Sequence, residues 1–167
     1  MRWVLFAFTA PWSLTVGYGW VLLMKLIGAA EKLRWEKTLV LTAQWRPWAA
    51  KRWKYSTTLG RGIVYHGEWR SLPGLVYSRI QSHEHVHVRQ IEDLMMLSFL
   101  VGLAVALYTG QWGLGAALWW SGGLWQVPDF ITALLRGGNA YRDSEHERAA
   151  YGQTDLGPDG KSWLDTH

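Results

Sequence analysis

The chain has no cysteine. That excludes disulfides and cysteine-ligated zinc, and it says nothing about compartment. Charge is also missing from long stretches: residues 3–24 carry none, and neither do residues 94–128. An uncharged apolar run of about 18 or more residues is a transmembrane candidate. The near-zero mean hydropathy, −0.06, therefore averages two membrane-grade stretches with the polar segments between them. Internal repeats and low-complexity tracts are lacking, and 167 residues leave room for one domain of ordinary size. These absences exclude a secreted disulfide scaffold and favour an integral membrane protein over a soluble one.

What is present begins with an apolar N-terminus. Residues 1–30 read as an uncleaved transmembrane or anchor helix: Pro11 interrupts the run early, where a kink is expected, and no small-x-small cleavage site precedes a polar start. Gly17 and Gly19 would let another element pack closely. From Lys25 to Lys54 there are eight Lys and Arg against two Glu. By the positive-inside rule this segment is cytoplasmic. Trp35, Trp45, Trp48, Trp53 and Tyr55 are interleaved with these bases, which beside a membrane span reads as an interfacial belt on anionic headgroups and not as a nucleic-acid surface. Thr38–Thr42 has strand character, and Thr57–Tyr65 has more, ending at His66-Gly67 in a turn.

The chemistry lies in His83-Glu84-His85-Val86-His87. Histidines four apart on a helix face the same way and can share one metal ion, and a glutamate between them completes the spacing H-E-x-x-H. Random placement in a chain of this composition would produce the pattern in roughly one sequence per hundred. Ser71-Leu72-Pro73 reads as a helix start, with Ser71 as N-cap and proline in the first turn. His85 is rotated about 100° per residue off the metal face and reads as structural or exposed. Gln90, three residues beyond His87, can orient a ligand imidazole through its other nitrogen. A catalytic zinc site has three protein ligands and one open position, so a third ligand must come from elsewhere.

Downstream, Tyr141-Arg142-Asp143-Ser144-Glu145-His146-Glu147-Arg148-Ala149-Ala150 is a charged helical segment with two glutamates. Here the chain resembles the gluzincin zinc metallopeptidases, whose third ligand is a glutamate on a later helix followed by a small residue three positions on. Glu147 with Ala150 matches that pattern, and Glu145 matches it less well. The same segment is similar to small zincin-like proteins with H-E-x-x-H-x-x-Q followed by Y-R-D-N-x-x-E-x-x-A; Ser144 stands where Asn is usual. The larger families have an Asp four residues after the ligand glutamate, and this chain has Tyr151.

The resemblance implies Zn2+ held by His83, His87 and Glu147, with Glu84 as the general base of peptide hydrolysis. Gln90, Tyr141 and His146 are candidates to orient a ligand or to donate to the oxyanion. Zincins place a strand edge beside the active-site helix, and the 57–66 strand, with Thr57, Leu59 and Ile63, is expected there to receive an extended substrate; the other reading of this segment is a small hairpin packed on the helix with no substrate role. The alternative is a zinc-binding or structural membrane protein without turnover.

The expected fold is mainly α with a small β-hairpin, an α+β zincin-like core with membrane-associated helices. It divides into an anchor at 1–30, a zincin-like domain at 31–151 and a polar tail at 152–167. The partners expected are a peptide or protein substrate and the lipid membrane, with no nucleic acid, and the site lies on the cytoplasmic side. Topology constrains the chemistry. A single crossing by residues 94–128 would separate Glu147 from His83 and His87, so that run must be a hairpin (94–108 and 112–127), a re-entrant element or a buried core.

Overall fold

A computed structural model describes residues 2–36, 39–52, 56–66, 74–124, 126–137 and 144–153. The fold is mainly helical with one small mixed sheet, an α+β arrangement. Helix α1 (Arg2–Leu26) carries Pro11 in its interior, and the Thr15 hydroxyl donates to the Pro11 carbonyl. It stops at Gly28, which takes φ +74°. The N–H groups of Gly28 and Ala29 donate back to Lys25 and Met24 at 3.1 and 2.9 Å, closing a Schellman motif that satisfies the last carbonyls.

The sheet comprises β1 (Ala30–Glu36), β2 (Val40–Trp45), β3 (Thr57–Leu59) and β4 (Gly62–Tyr65), with the short helix α2 (Pro47–Arg52) between β2 and β3. Its order is β1-β2-β4-β3, with β2 and β4 parallel and both outer pairs antiparallel. Side chains alternate across a strand, and here each face meets a helix. Leu41, Ala43 and Trp45 of β2 and Val64 of β4 pack with Val21 and Met24 of α1. Val40, Ile63 and Tyr65 point the other way, onto Ile80 and Val88 of helix α3 (Gly74–Thr109). All of β2 is buried as a result. The layers are helix, sheet, helix, so α1 closes one face of the core. Glycine makes that approach possible: a Cβ on Gly17 would sit 2.6–2.7 Å from backbone atoms of Leu59, Arg61 and Gly62.

Two sequence expectations change here. The sheet has four strands where a hairpin was expected. The 57–66 run is the hairpin of the alternative reading, two strands joined by a two-residue turn at Gly60 (φ +53°) and Arg61. Ile63 therefore lies on β4 with a neighbour on each side and has no free edge to offer a substrate, whereas Thr57 and Leu59 lie on the edge strand β3. In the basic segment Trp45 is core, packed edge-on against Trp20, while Trp35 and Trp48 are exposed. Trp53, Tyr55, Ser71 and Pro73 lie outside the described residues.

The 36-residue helix α3 carries both the motif and the apolar run. Its stretch Ser78–Thr109 is long and apolar enough to cross a membrane, the one such helix among the described residues. At Gly110 (φ +71°) the chain reverses into α4 (Trp112–Trp120), a 3-10 turn (Ser121–Leu124) and α5 (Val127–Leu135). Gly102 and Gly115 bring α3 and α4 into backbone contact, and Gly122 sits on Ser98, so α4 runs back antiparallel to α3. The hairpin leaves Leu100, Leu107, Trp112, Leu114 and Leu124 exposed. The last helix among the described residues, α6 (Glu145–Gln153), returns to pack on α3.

Candidate metal centre

His83 and His87 lie one turn apart on the buried face of α3, with their Nε2 atoms 3.1 Å apart. The Glu147 Oε2 atom of α6 is 3.1 Å from His83 Nε2 and 3.3 Å from His87 Nε2. All three side chains are buried, and their candidate ligand atoms fall within one small cluster. The fit to a metal can be judged from these edges. A tetrahedral ion with bonds of about 2.0–2.1 Å separates its ligand atoms by about 3.3 Å, close to each side of this triangle. Two imidazoles and one carboxylate suit a borderline divalent metal ion.

Hydrogen bonding fixes the tautomer of His87. Gln90 Nε2 donates to the His146 carbonyl at 2.9 Å, which leaves Gln90 Oε1 as acceptor for the His87 Nδ1–H at 2.8 Å. His87 Nε2 then presents its lone pair to the cluster. His83 is held differently. Its Nδ1 is buried without a hydrogen-bond partner among the described residues, and the Tyr151 ring packs on the imidazole at 4.7 Å between centroids. A tyrosine ring thus supports the His83 imidazole.

Glu84 is buried beside the triangle, within electrostatic reach of His83, His87 and Glu147. The Thr58 hydroxyl of β3 donates to its Oε2 at 2.5 Å. This places the edge strand against the motif glutamate. His85, on another face of α3, meets Glu36 of β1 at 3.1 Å, and Gln81 donates to the same carboxylate at 2.9 Å.

The first turn of α6 explains how Glu147 arrives. Ser144 is its N-cap, with Oγ accepting from the Glu147 N–H at 3.4 Å. Asp129 of α5 accepts from the N–H groups of Glu145 and His146 at 3.2 and 3.1 Å and from His146 Nδ1 at 2.6 Å. Glu145 itself is exposed and lies outside the cluster. Burial pushes the Glu147 carboxyl up, but the hydrogen bonds and charges of His83 and His87 outweigh it and hold the group below the usual range. For Asp129 burial likewise raises, and the His146 ring with two backbone N–H groups lowers by more.

The structure thus brings together His83, Glu84, His87, Gln90 and Glu147. His146 has its Nδ1 turned to Asp129, and Tyr141 lies outside the described residues. Sequence reasoning missed Thr58, Asp129 and the capping role of Ser144. Only the last had a signal: Ser144-x-x-Glu147 is the spacing of a helix N-terminal box. The chain matches no protein-family model, no curated protein and no solved structure.

Proposed function

We propose that this protein is a membrane-bound zinc metallopeptidase of gluzincin-like design, with zinc held by His83, His87 and Glu147. The observation that carries the reading is the buried triangle of Nε2, Nε2 and Oε2 atoms with sides of 3.1–3.3 Å, with Glu84 beside it. A zinc ion there would supply Lewis acidity, polarising a peptide carbonyl and acidifying a water molecule. The chain's own groups do the rest. Glu84 takes the proton of the attacking water and passes it to the leaving amine nitrogen, with the Thr58 hydroxyl aiming its carboxylate. Gln90 and Tyr151 hold the two imidazoles in place.

The substrate lies along β3. A two-residue turn closes on a hydrogen-bonded pair, here Leu59 with Gly62, so the alternation of the ladder turns the Thr58 N–H and C=O to the free edge. An extended peptide added there would run past Glu84.

The protein enters the bilayer through the α3–α4 hairpin. Residues 94–109 of α3 span about 24 Å at 1.5 Å per residue, short of the roughly 30 Å hydrocarbon core. The hairpin is therefore re-entrant, with its exposed leucines and tryptophans in lipid and both ends on one side. The excess of Lys and Arg between Lys25 and Lys54 supports a cytoplasmic placement of that side.

The test is zinc content per chain, with peptide hydrolysis, for detergent-purified wild type, His83→Ala and Glu84→Gln. About one zinc per wild-type chain, lost in His83→Ala and kept in Glu84→Gln while hydrolysis disappears, is the expected result. Zinc without any hydrolysis that depends on Glu84 would leave a non-catalytic zinc protein. Metal-free wild type, purified without chelator and supplied with zinc, would end the reading.

A further inference from the structure

We propose that Asp129 is a positioning residue of the metal centre: from the end of the apolar hairpin its carboxylate grips the first turn of α6 and sets Glu147 against His83 and His87. The proposal rests on the reading of those three residues as metal ligands.

Helix α6 lacks the means to fix its own rotation. It has nine residues, fewer than the about 12–15 at which isolated helices become even marginal. Its sequence, Glu-His-Glu-Arg-Ala-Ala-Tyr-Gly-Gln, offers no broad apolar stripe, and its fully buried apolar residue among those described is Ala150. Packing alone leaves the rotation of such a helix weakly defined. Rotation is what the site cannot leave loose, because a slip of one residue swings a helical side chain by about 100°.

Asp129 supplies the missing constraint. Its two oxygens accept from two successive N–H groups of α6, one oxygen also takes the His146 ring, and its charge sits at the positive end of the helix. Those N–H groups belong to Glu145 and His146, the residues just before Glu147. On the opposite side Gln90 holds the His146 carbonyl with the same amide that fixes the His87 tautomer. One hydrogen-bonded chain, Asp129–His146–Gln90–His87, thus places a carboxylate ligand and an imidazole ligand relative to each other. Since α5 directly follows the hairpin, the lipid-facing element and the third ligand are joined through Asp129.

The experiment measures zinc affinity by competition with a chromophoric chelator, the visible spectrum of the cobalt-substituted protein, and the thermal melt of the metal-free protein. The full chain is used as wild type, Asp129→Asn, Glu147→Gln, His146→Leu and His146→Asn. Asp129→Asn is expected to raise the zinc dissociation constant about 10- to 100-fold. Its cobalt bands, per bound cobalt, weaken toward those of Glu147→Gln as a loosened carboxylate gives way to solvent. Mere destabilisation would lower the folded fraction without altering the spectrum per bound metal. His146→Leu shifts affinity the same way by less, and His146→Asn, whose amide N–H can replace Nδ1–H, restores it. If Asp129→Asn fails to fold, the His146 pair decides, because that ring is partly exposed. Zinc-binding wild type with an unchanged affinity and cobalt spectrum in Asp129→Asn, or equal behaviour of His146→Leu and His146→Asn, would overturn the proposal while leaving the metal reading intact. Wild type that takes up no metal would remove the metal reading, and this proposal with it.

Discussion

Replacing Thr58 by Val removes one hydroxyl and keeps the shape of the side chain. In the native protein that hydroxyl donates at 2.5 Å to Glu84 Oε2, and the carboxylate is otherwise buried. A hydrogen bond to a charged group contributes about 1.5–3 kcal/mol net. If that energy is used to hold Glu84 in its proton-accepting geometry, its loss lowers kcat by about 10- to 150-fold, at 1.36 kcal/mol per factor of ten. Zinc affinity is expected to stay at the wild-type value, because Thr58 contacts none of His83, His87 and Glu147 among the contacts described. The assay is cleavage of a mixed peptide pool in detergent micelles, followed by mass spectrometry, with zinc affinity measured on the same samples. Thr58→Ser, which keeps the hydroxyl on the edge strand, should recover most of the rate. Wild-type kcat in Thr58→Val would refute the idea that β3 aims the base. A matching loss of zinc would instead show that the substitution had disturbed the fold.

Three further outcomes follow from the packing and charge. Gly102→Leu inserts a side chain where α3 and α4 touch backbone to backbone; overpacking costs about 1–3 kcal/mol, and the melt should fall accordingly while Gly113→Ala, in open space on α4, does not lower it. Asp129 has a folded-state pKa below its ordinary 3.8, so its contribution to stability is full above that value and is lost as pH falls through the lower folded value; the acid limb of the metal-free melt should flatten in Asp129→Asn. Because the chain has no cysteine, single cysteines report topology cleanly: in sealed vesicles, Tyr108→Cys at the hairpin tip should resist a membrane-impermeant maleimide, whereas Lys51→Cys and Gly152→Cys should react from the same side, and labelling of those two from opposite sides would refute the re-entrant arrangement.

Much of the site was legible because its chemistry is written in short spacings. His83, Glu84, His87 and Gln90 sit on consecutive turns of one helix, and helical geometry alone brings them together. Glu147 came from the resemblance of its segment, and the Ser144-x-x-Glu147 spacing agrees with where the helix begins. The sheet was harder to read. β1 has one buried residue followed by mostly exposed ones, and a register shift between Glu31 and Arg34 with Lys32 at φ +55° breaks the period-two pattern that marks a strand. β3 and β4 merged into one run because Gly60-Arg61-Gly62 is flanked by β-forming residues on both sides. α1 read as an anchor since it is apolar nearly all round, a pattern shared by membrane spans and by helices that close a core. Asp129 looked like the residue that stops an apolar run; its grip on α6 is a contact across 16 positions, invisible to any local pattern.

The hairpin and the metal centre constrain each other. Glu147 lies 60 residues beyond His87, and between them the chain passes through the apolar run. With α3 continuing straight from the motif into residues 94–109, the direction of the helix sends the chain away from the site. Only a reversal brings it back. Gly110 makes the turn, the Gly102–Gly115 contact sets the two arms close, and Gly122 seats the 3-10 turn on Ser98. α5 then delivers Asp129 to the level of Gln90, where the His146 carbonyl and ring join the two. Each step is a close approach or a buried hydrogen bond between residues distant in sequence. An element that contributes no residue to the cluster thereby governs whether Glu147 reaches His83 and His87.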